Sequence, residues 1–148
     1  MSVIFSKSCE YAIQAMLYLA KESDHRRVLL RDISQALGIP HHFLSKVLQS
    51  LSHHGFVISQ RGSHGGFILG HPAREIALID LVRAVDGEAL LERCVLGFAA
   101  CRDDFPCPLH ASWKNARAEI TEMLQWKTLE ELGNELHPKL ELIAELEE

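Results

Sequence analysis

The segment Asp32-Ile33-Ser34-Gln35-Ala36-Leu37-Gly38-Ile39-Pro40-His41-His42-Phe43-Leu44-Ser45-Lys46-Val47-Leu48-Gln49-Ser50-Leu51 holds two short helical patterns with three residues between them. Gly38 suits the left-handed cap that stops the first, and Pro40 stands where a first helical turn tolerates proline. Phe43, Leu44, Val47, Leu48 and Leu51 give the second helix its apolar stripe. Two helices joined by so short a turn predict a helix-turn-helix. In that motif the second helix enters the major groove with its N-terminal residues toward base edges. The outward positions there are His41, His42, Ser45, Lys46 and Gln49, all polar. His, Ser and Gln can hydrogen-bond to bases or phosphates, and Lys46 supplies charge.

Downstream of Gly55 the pattern becomes extended, in Phe56-Val57-Ile58-Ser59-Gln60 and again in Phe67-Ile68-Leu69, with Arg61-Gly62-Ser63-His64-Gly65-Gly66 between. Two short apolar runs around a Gly-rich connection predict a hairpin, and a hairpin after a helix-turn-helix is a wing. Arg61 could then clamp a phosphate or enter the minor groove, with Ser63 and His64 at the tip. A phosphate-cradling nucleotide loop would open onto a helix, and this one opens onto a strand.

Upstream, Ala12, Ala15, Met16, Leu19 and Ala20 predict an amphipathic helix over residues 9–21. Residues 75–85 predict another, closed by Asp86-Gly87. From Leu109 the chain is helical again, and Trp113, Ala116, Ile120, Met123 and Lys127 form a narrow stripe suited to pairing with a second copy, in line with a homodimer on two half-sites. Thr128 and Glu131 make a capping box for a short helix ending near Gly133. Leu140, Ile143 and Leu146 recur at helical spacing in the acidic segment that follows Pro138. The expected fold is mainly α with a small β-hairpin wing: a winged helix-turn-helix domain over 1–87, a cysteine-rich loop over 88–108, and a dimerisation helix with a C-terminal tail over 109–148.

The net charge of -5 averages two unlike halves. Residues 1–74 hold eight Lys+Arg against four Asp+Glu, a balance of +4, whereas residues 75–148 hold seven against sixteen, a balance of -9. A basic first half suits a face turned toward phosphate. No apolar run approaches the roughly 20 residues that span a bilayer, and the first residues lack the pattern of a signal peptide, so a cytoplasmic location is expected.

Cys94, Cys101 and Cys107 then stand out, three of the four cysteines in C-x6-C-x5-C spacing with His110 three positions on. In a reducing compartment such a cluster points to metal or redox chemistry rather than disulfide staples. Soft ligands this dense suggest an iron-sulfur cluster or zinc. Zinc would make a colourless structural site, and a metal-free alternative senses through thiol oxidation. An iron-sulfur electron carrier or an enzyme is a further class, but there is no nucleophile elbow, no H-x-E beside the cysteines and no nucleotide fingerprint. Cys9 reads as a buried thiol.

Taken in order, Ser8-Cys9-Glu10-Tyr11-Ala12, the segment Arg61 to Phe67, Leu81-Val82-Arg83-Ala84-Val85-Asp86-Gly87 and the three-cysteine loop resemble the Rrf family of bacterial transcriptional regulators, the iron-sulfur winged-helix proteins that include IscR and NsrR. The resemblance covers nearly the whole chain. It implies a homodimer that binds double-stranded operator DNA, most often as a repressor, with an iron-sulfur cluster of two or four irons held by Cys94, Cys101 and Cys107. Members similar to IscR take their fourth ligand from the position of His110. Members similar to NsrR use a carboxylate at the position of Glu10 from the other subunit, which is favoured here because Pro108 restricts the turn that would aim His110. The first gap, x6, is one residue longer than the x5 of many relatives. A cluster at this place would let iron, redox state or nitric oxide switch operator affinity.

Overall fold

The computed structural model describes residues 2, 4–22, 26–62, 65–98 and 102–136. Ser63, His64, Cys101 and the acidic segment beyond Pro138 lie outside the described residues.

Helix α1 (Lys7–Glu22) buries Cys9, Ala12, Ala15, Met16 and Leu19 along one face, as the spacing predicted. Its first turn is held by Ser6, whose hydroxyl accepts the Cys9 N–H at 3.1 Å. The Ser6 N–H donates to Asp86 Oδ2 at 3.0 Å, and its hydroxyl donates to Asp86 Oδ1, so a residue 80 positions away anchors the cap.

Helix α2 (Leu30–Leu37) ends at Gly38, whose φ of 64° is left-handed and whose N–H donates to the Ser34 carbonyl. Nothing lies within 4 Å of a Cβ built there, so glycine is required by conformation and not by space. The Ser34 hydroxyl donates to the Ile39 carbonyl at 2.6 Å and closes the turn. Helix α3 (His41–His53) buries Leu44, Val47, Leu48 and Leu51. Phe43, expected in that stripe, is instead 49% exposed. At about 100° per residue it falls roughly 40° outside the arc spanned by the four buried side chains.

Strands β1 (Val57–Gln60) and β2 (Gly66–Leu69) form the antiparallel hairpin, with Val57 opposite Leu69 and Gln60 opposite Gly66. Val28 extends it as a third, single-residue rung. Its N–H donates to the Phe67 carbonyl at 2.9 Å, and the Phe67 N–H donates back at 2.8 Å. A Cβ at Gly66 would stand 2.7 Å from the Val28 carbonyl oxygen, so this close approach requires glycine. The arrangement is the expected winged helix: Met16, Leu19, Ile33, Leu44, Leu48, Leu51, Val57 and Leu81 share one core beneath the hairpin.

Helix α4 (Leu78–Asp86) starts later than the apolar run from Glu75 suggests. Residues Ala73–Glu75 form a 3-10 turn, and Ile76 and Ala77 are extended because they pair with the far end of the chain. The Leu129 N–H donates to the Ile76 carbonyl at 2.8 Å, and the Leu78 N–H donates to the Lys127 carbonyl at 3.0 Å. A short helix, α5 (Ala89–Glu92), precedes the cysteine loop, and α6 (His110–Trp126) follows it. Leu124 and Ile120 of α6 pack on Cys9, Ile79 and Val82, which makes a second core between α1, α4 and α6.

Residues 129–136 are helical. The predicted capping box opens them: the Glu131 N–H donates to Thr128 Oγ1 at 3.2 Å, and the Thr128 N–H to Glu131 Oε2 at 3.4 Å. The helix runs through Gly133 instead of ending there. A Cβ at that position would lie 3.9 Å from a Leu17 methyl, so Gly133 is taken up by packing against α1.

Candidate nucleic-acid interface and cysteine pocket

On α3 the side chains of His41, His42, Phe43, Lys46 and Gln49 are exposed, and Ser45 is half-buried. Their outward placement follows from the burial of Leu44, Val47, Leu48 and Leu51 on the opposite side. Arg61 is exposed at the end of β1, adjoining the wing tip. Helix α3 and the end of β1 thus each expose polar and cationic side chains, and Phe43, expected in the apolar stripe, is exposed among those of α3.

The second candidate site is the pocket after α5. Cys94, Arg102, Phe105, Cys107 and His110 line it, with Glu10 outside that lining. Among the described residues no three His, Cys, Asp or Glu side chains converge as a metal site. Two donors do meet: the Cys94 and Cys107 sulfurs are 3.9 Å apart. Two thiolates on one tetrahedral ion at about 2.3 Å each would be roughly 3.8 Å apart, so the pair has the spacing of two ligands on a single zinc or iron.

The chain between Cys94 and Phe98 is bent by a turn in which the Gly97 N–H donates to the Cys94 carbonyl at 3.0 Å and Gly97 takes φ 84°. The bend brings the backbone of Leu96 to Phe98 around the Cys94 side chain. The N–H of Leu96, then those of Phe98 and Gly97 with the Cys107 thiol, hold the Cys94 thiol below its ordinary range against partial desolvation. Such a nest favours the thiolate, the form that binds metal or reacts with oxidants. Cys9 is its opposite. Burial, then the Asp86 charge, pushes that thiol up to about 12, and it is fully buried, as the sequence predicted.

His110, the first residue of α6, is 8% exposed. Its Nε2 lies 2.8 Å from Asp103 Oδ1, and Lys114 Nζ lies 3.2 Å from the same oxygen. His110 foremost, then Lys114, hold the Asp103 carboxyl below its usual range. This Asp103–His110–Lys114 group was not legible in the sequence, since nothing local marks an acid seven positions before a histidine. Glu10 is engaged differently. It accepts the Ser2 N–H and pairs with Lys7 Nζ at 3.3 Å, and these contacts hold its carboxyl low.

Of the other stripe residues, Trp113 is half-buried, and its Nε1–H donates to the Arg93 carbonyl at 2.8 Å, which ties α6 to the residue before Cys94. Ile120 is spent on the internal core, whereas Ala116 and Met123 are exposed.

Residues 5–135 match the sequence pattern of Rrf2, described as an iron-dependent transcriptional regulator. The chain belongs to the Rrf2 family. Over 124 residues it is 38% identical to the HTH-type transcriptional regulator IscR of Pectobacterium carotovorum, covering 84% of this chain and 75% of that one. Among solved structures, CymR (YrzC), the global cysteine regulator of B. subtilis, superposes with a TM-score of 0.77 at 26% identity, over 90% of this chain and 98% of its own. The T. potens IscR structure gives a TM-score of 0.73 at 27% identity, over 94% and 90%. Membership of the Rrf2 family makes this chain a transcriptional regulator of the winged-helix type, and its class is not enzymatic. Among the described residues no helix is long and apolar enough to cross a membrane.

Proposed function

We propose that this regulator binds operator DNA as a homodimer through α3 and the wing, and that a metal-sulfur centre at Cys94, Cys101 and Cys107 sets its affinity. The observation that carries the second half is the pair of Cys94 and Cys107 sulfurs 3.9 Å apart, one of them facing a nest of backbone N–H groups. The division into a reading domain over 1–87, a sensing loop over 88–108 and a pairing region over 109–148 belongs to the same reading.

In the reader, His41, His42, Ser45 and Gln49 offer donors and acceptors to base edges, while Lys46 and Arg61 meet phosphates; Ser63 and His64 are assigned to the wing tip from sequence. In the sensor, Cys94, Cys101 and Cys107 would hold an iron-sulfur cluster, which supplies sensitivity to iron, oxidants or nitric oxide when bound. The backbone N–H groups of Leu96, Gly97 and Phe98 would temper the charge on the Cys94 sulfur. For the fourth ligand we favour His110 over Glu10. His110 lines the same pocket as the two cysteines of its own chain, whereas Glu10 would have to come from a second copy. Trp113 then links the loop to α6, whose exposed Ala116 and Met123 are offered to a second copy.

The test is the visible spectrum of anaerobically purified protein with iron and acid-labile sulfide assayed on the same sample. A broad visible band with matching iron and sulfide supports the cluster. A colourless protein with one zinc per chain refutes it.

A second reading has its own support. Sulfurs 3.9 Å apart with one thiol activated are also placed to join, each thiol losing a proton and an electron as peroxide is reduced to water. A structural neighbour, Staphylococcus aureus CymR, has been solved in an oxidized form, which agrees with a thiol-based sensor. A Cys94–Cys107 disulfide found by mass mapping in metal-free, peroxide-treated protein would favour it.

A further inference from the structure

We propose that Phe43 is a specificity-determining residue whose exposed ring reads thymine methyl groups in the major groove. This rests on the DNA-binding reading of α3.

The core does not use this side chain. Leu44, Val47, Leu48 and Leu51 already close the inner face of α3, and Phe43 is left 49% exposed. It is the one large apolar side chain exposed on that helix among the described residues. It is also the third residue of α3, within the N-terminal turn that faces base edges in a helix-turn-helix. Its ring is not loose: the His42 imidazole lies against it, with centroids 4.4 Å apart and planes at 36°. The stack turns two neighbouring rings outward as one unit, with Lys46 a helical turn further on.

The chemistry of the groove decides what such a ring can recognise. His42, Ser45 and Gln49 can pair with the nitrogen and oxygen atoms of base edges, but none of them gains from an apolar group. Thymine alone among the four bases shows a methyl in the major groove, and an apolar side chain is what reads it. Phe43 supplies the half of the code that its polar neighbours lack. It would favour A·T pairs at one or two positions of each half-site.

The experiment begins with duplexes enriched from a random library by the full-length protein. In the enriched sequence each thymine is replaced in turn by deoxyuridine, which removes one methyl and leaves every hydrogen-bonding group in place. Affinities are read by fluorescence anisotropy at one salt concentration. Wild-type protein should lose about fourfold at the one or two thymines under Phe43, the value for one apolar carbon left in water. Phe43→Ala should bind those duplexes equally well with thymine or deoxyuridine, and Phe43→Leu should keep part of the difference. Because the side chain lies outside the core, all variants should melt with the wild type. A deoxyuridine penalty that persists in Phe43→Ala overturns the proposal, as does a wild type indifferent to every replacement. A uniform loss in Phe43→Ala on all duplexes would mean that the ring packs on sugar and phosphate, and also overturns it. Failure of the library to enrich any sequence would remove the DNA-binding reading itself, and the proposal with it.

Discussion

Asp103 offers a sharp test of how the cysteine pocket is built. If His110 is a metal donor, the carboxylate 2.8 Å from its Nε2 sets the ring's tautomer and orientation, and removing that charge should weaken metal binding without removing a ligand. Outer-shell partners of this kind are worth about 10- to 100-fold in metal affinity. The Asp103 side chain is 76% exposed, and Lys114 shares its charge, so the lower end applies and Asp103→Asn should cost about tenfold. His110→Ala should cost more. The assay is competition for zinc between the reduced, metal-free protein and a chromophoric chelator, which reads binding at equilibrium and needs no DNA. The decisive comparison is the double variant. If Asp103 acts only through His110, then Asp103→Asn has no further effect once His110 is alanine. A second tenfold loss in the double variant would refute the reasoning, because Asp103 would then be holding the loop or touching the ion itself. So would an unchanged affinity in Asp103→Asn beside a large loss in His110→Ala.

Three other outcomes are expected. Lys46→Ala should weaken binding to every DNA sequence alike and reduce the slope of log affinity against log salt by about 1, measured by anisotropy over a salt series. Leu48→Ala, at a fully buried position in the main core, should lower unfolding stability by about 2–5 kcal/mol in urea, with little change in the slope with denaturant. Iodoacetamide at pH 8 should label Cys94 well before Cys9, and peptide mapping should find Cys9 modified only after unfolding. Because the Cys9 pKa is raised on folding, its share of stability is complete below the ordinary thiol value of 9.0 and is lost as pH rises toward about 12. Cys9→Ala should therefore flatten the alkaline fall in stability relative to wild type.

What the sequence made legible was local. The turn at Gly38 and Pro40, the hairpin around Arg61 to Gly66 and the capping box of Thr128 and Glu131 each depend on residues within a few positions of one another, and the structure has all three. What it hid was tertiary. Residues 75–77 read as helix because Ile76 and Ala77 continue an apolar run, yet Glu75 closes a 3-10 turn and Ile76 and Ala77 are extended to pair with Thr128 and Leu129, some fifty residues on. Gly133 read as a stop because glycine often is one, and a neighbouring helix changed its meaning. Phe43 lay at the margin of a stripe, where periodicity alone cannot say on which side of the boundary a residue falls. In the pocket, sequence named Cys94, Cys107 and His110, but the backbone nest at Leu96 to Phe98 and the acid at Asp103 arise from how the loop is bent, and composition carries no trace of that.

Helix α6 is hydrogen-bonded at both ends, and Ile120 and Leu124 seat its middle on α1 and α4. Near its start Trp113 donates to the Arg93 carbonyl, and just past its end Lys127 and Leu129 are bonded to Leu78 and Ile76 at the start of α4. Its 17 residues span about 25 Å. With the far end held, a shift of about 1 Å at the loop would correspond to a tilt of roughly 2° over that length. Such a tilt would carry the exposed Ala116 and Met123 with it.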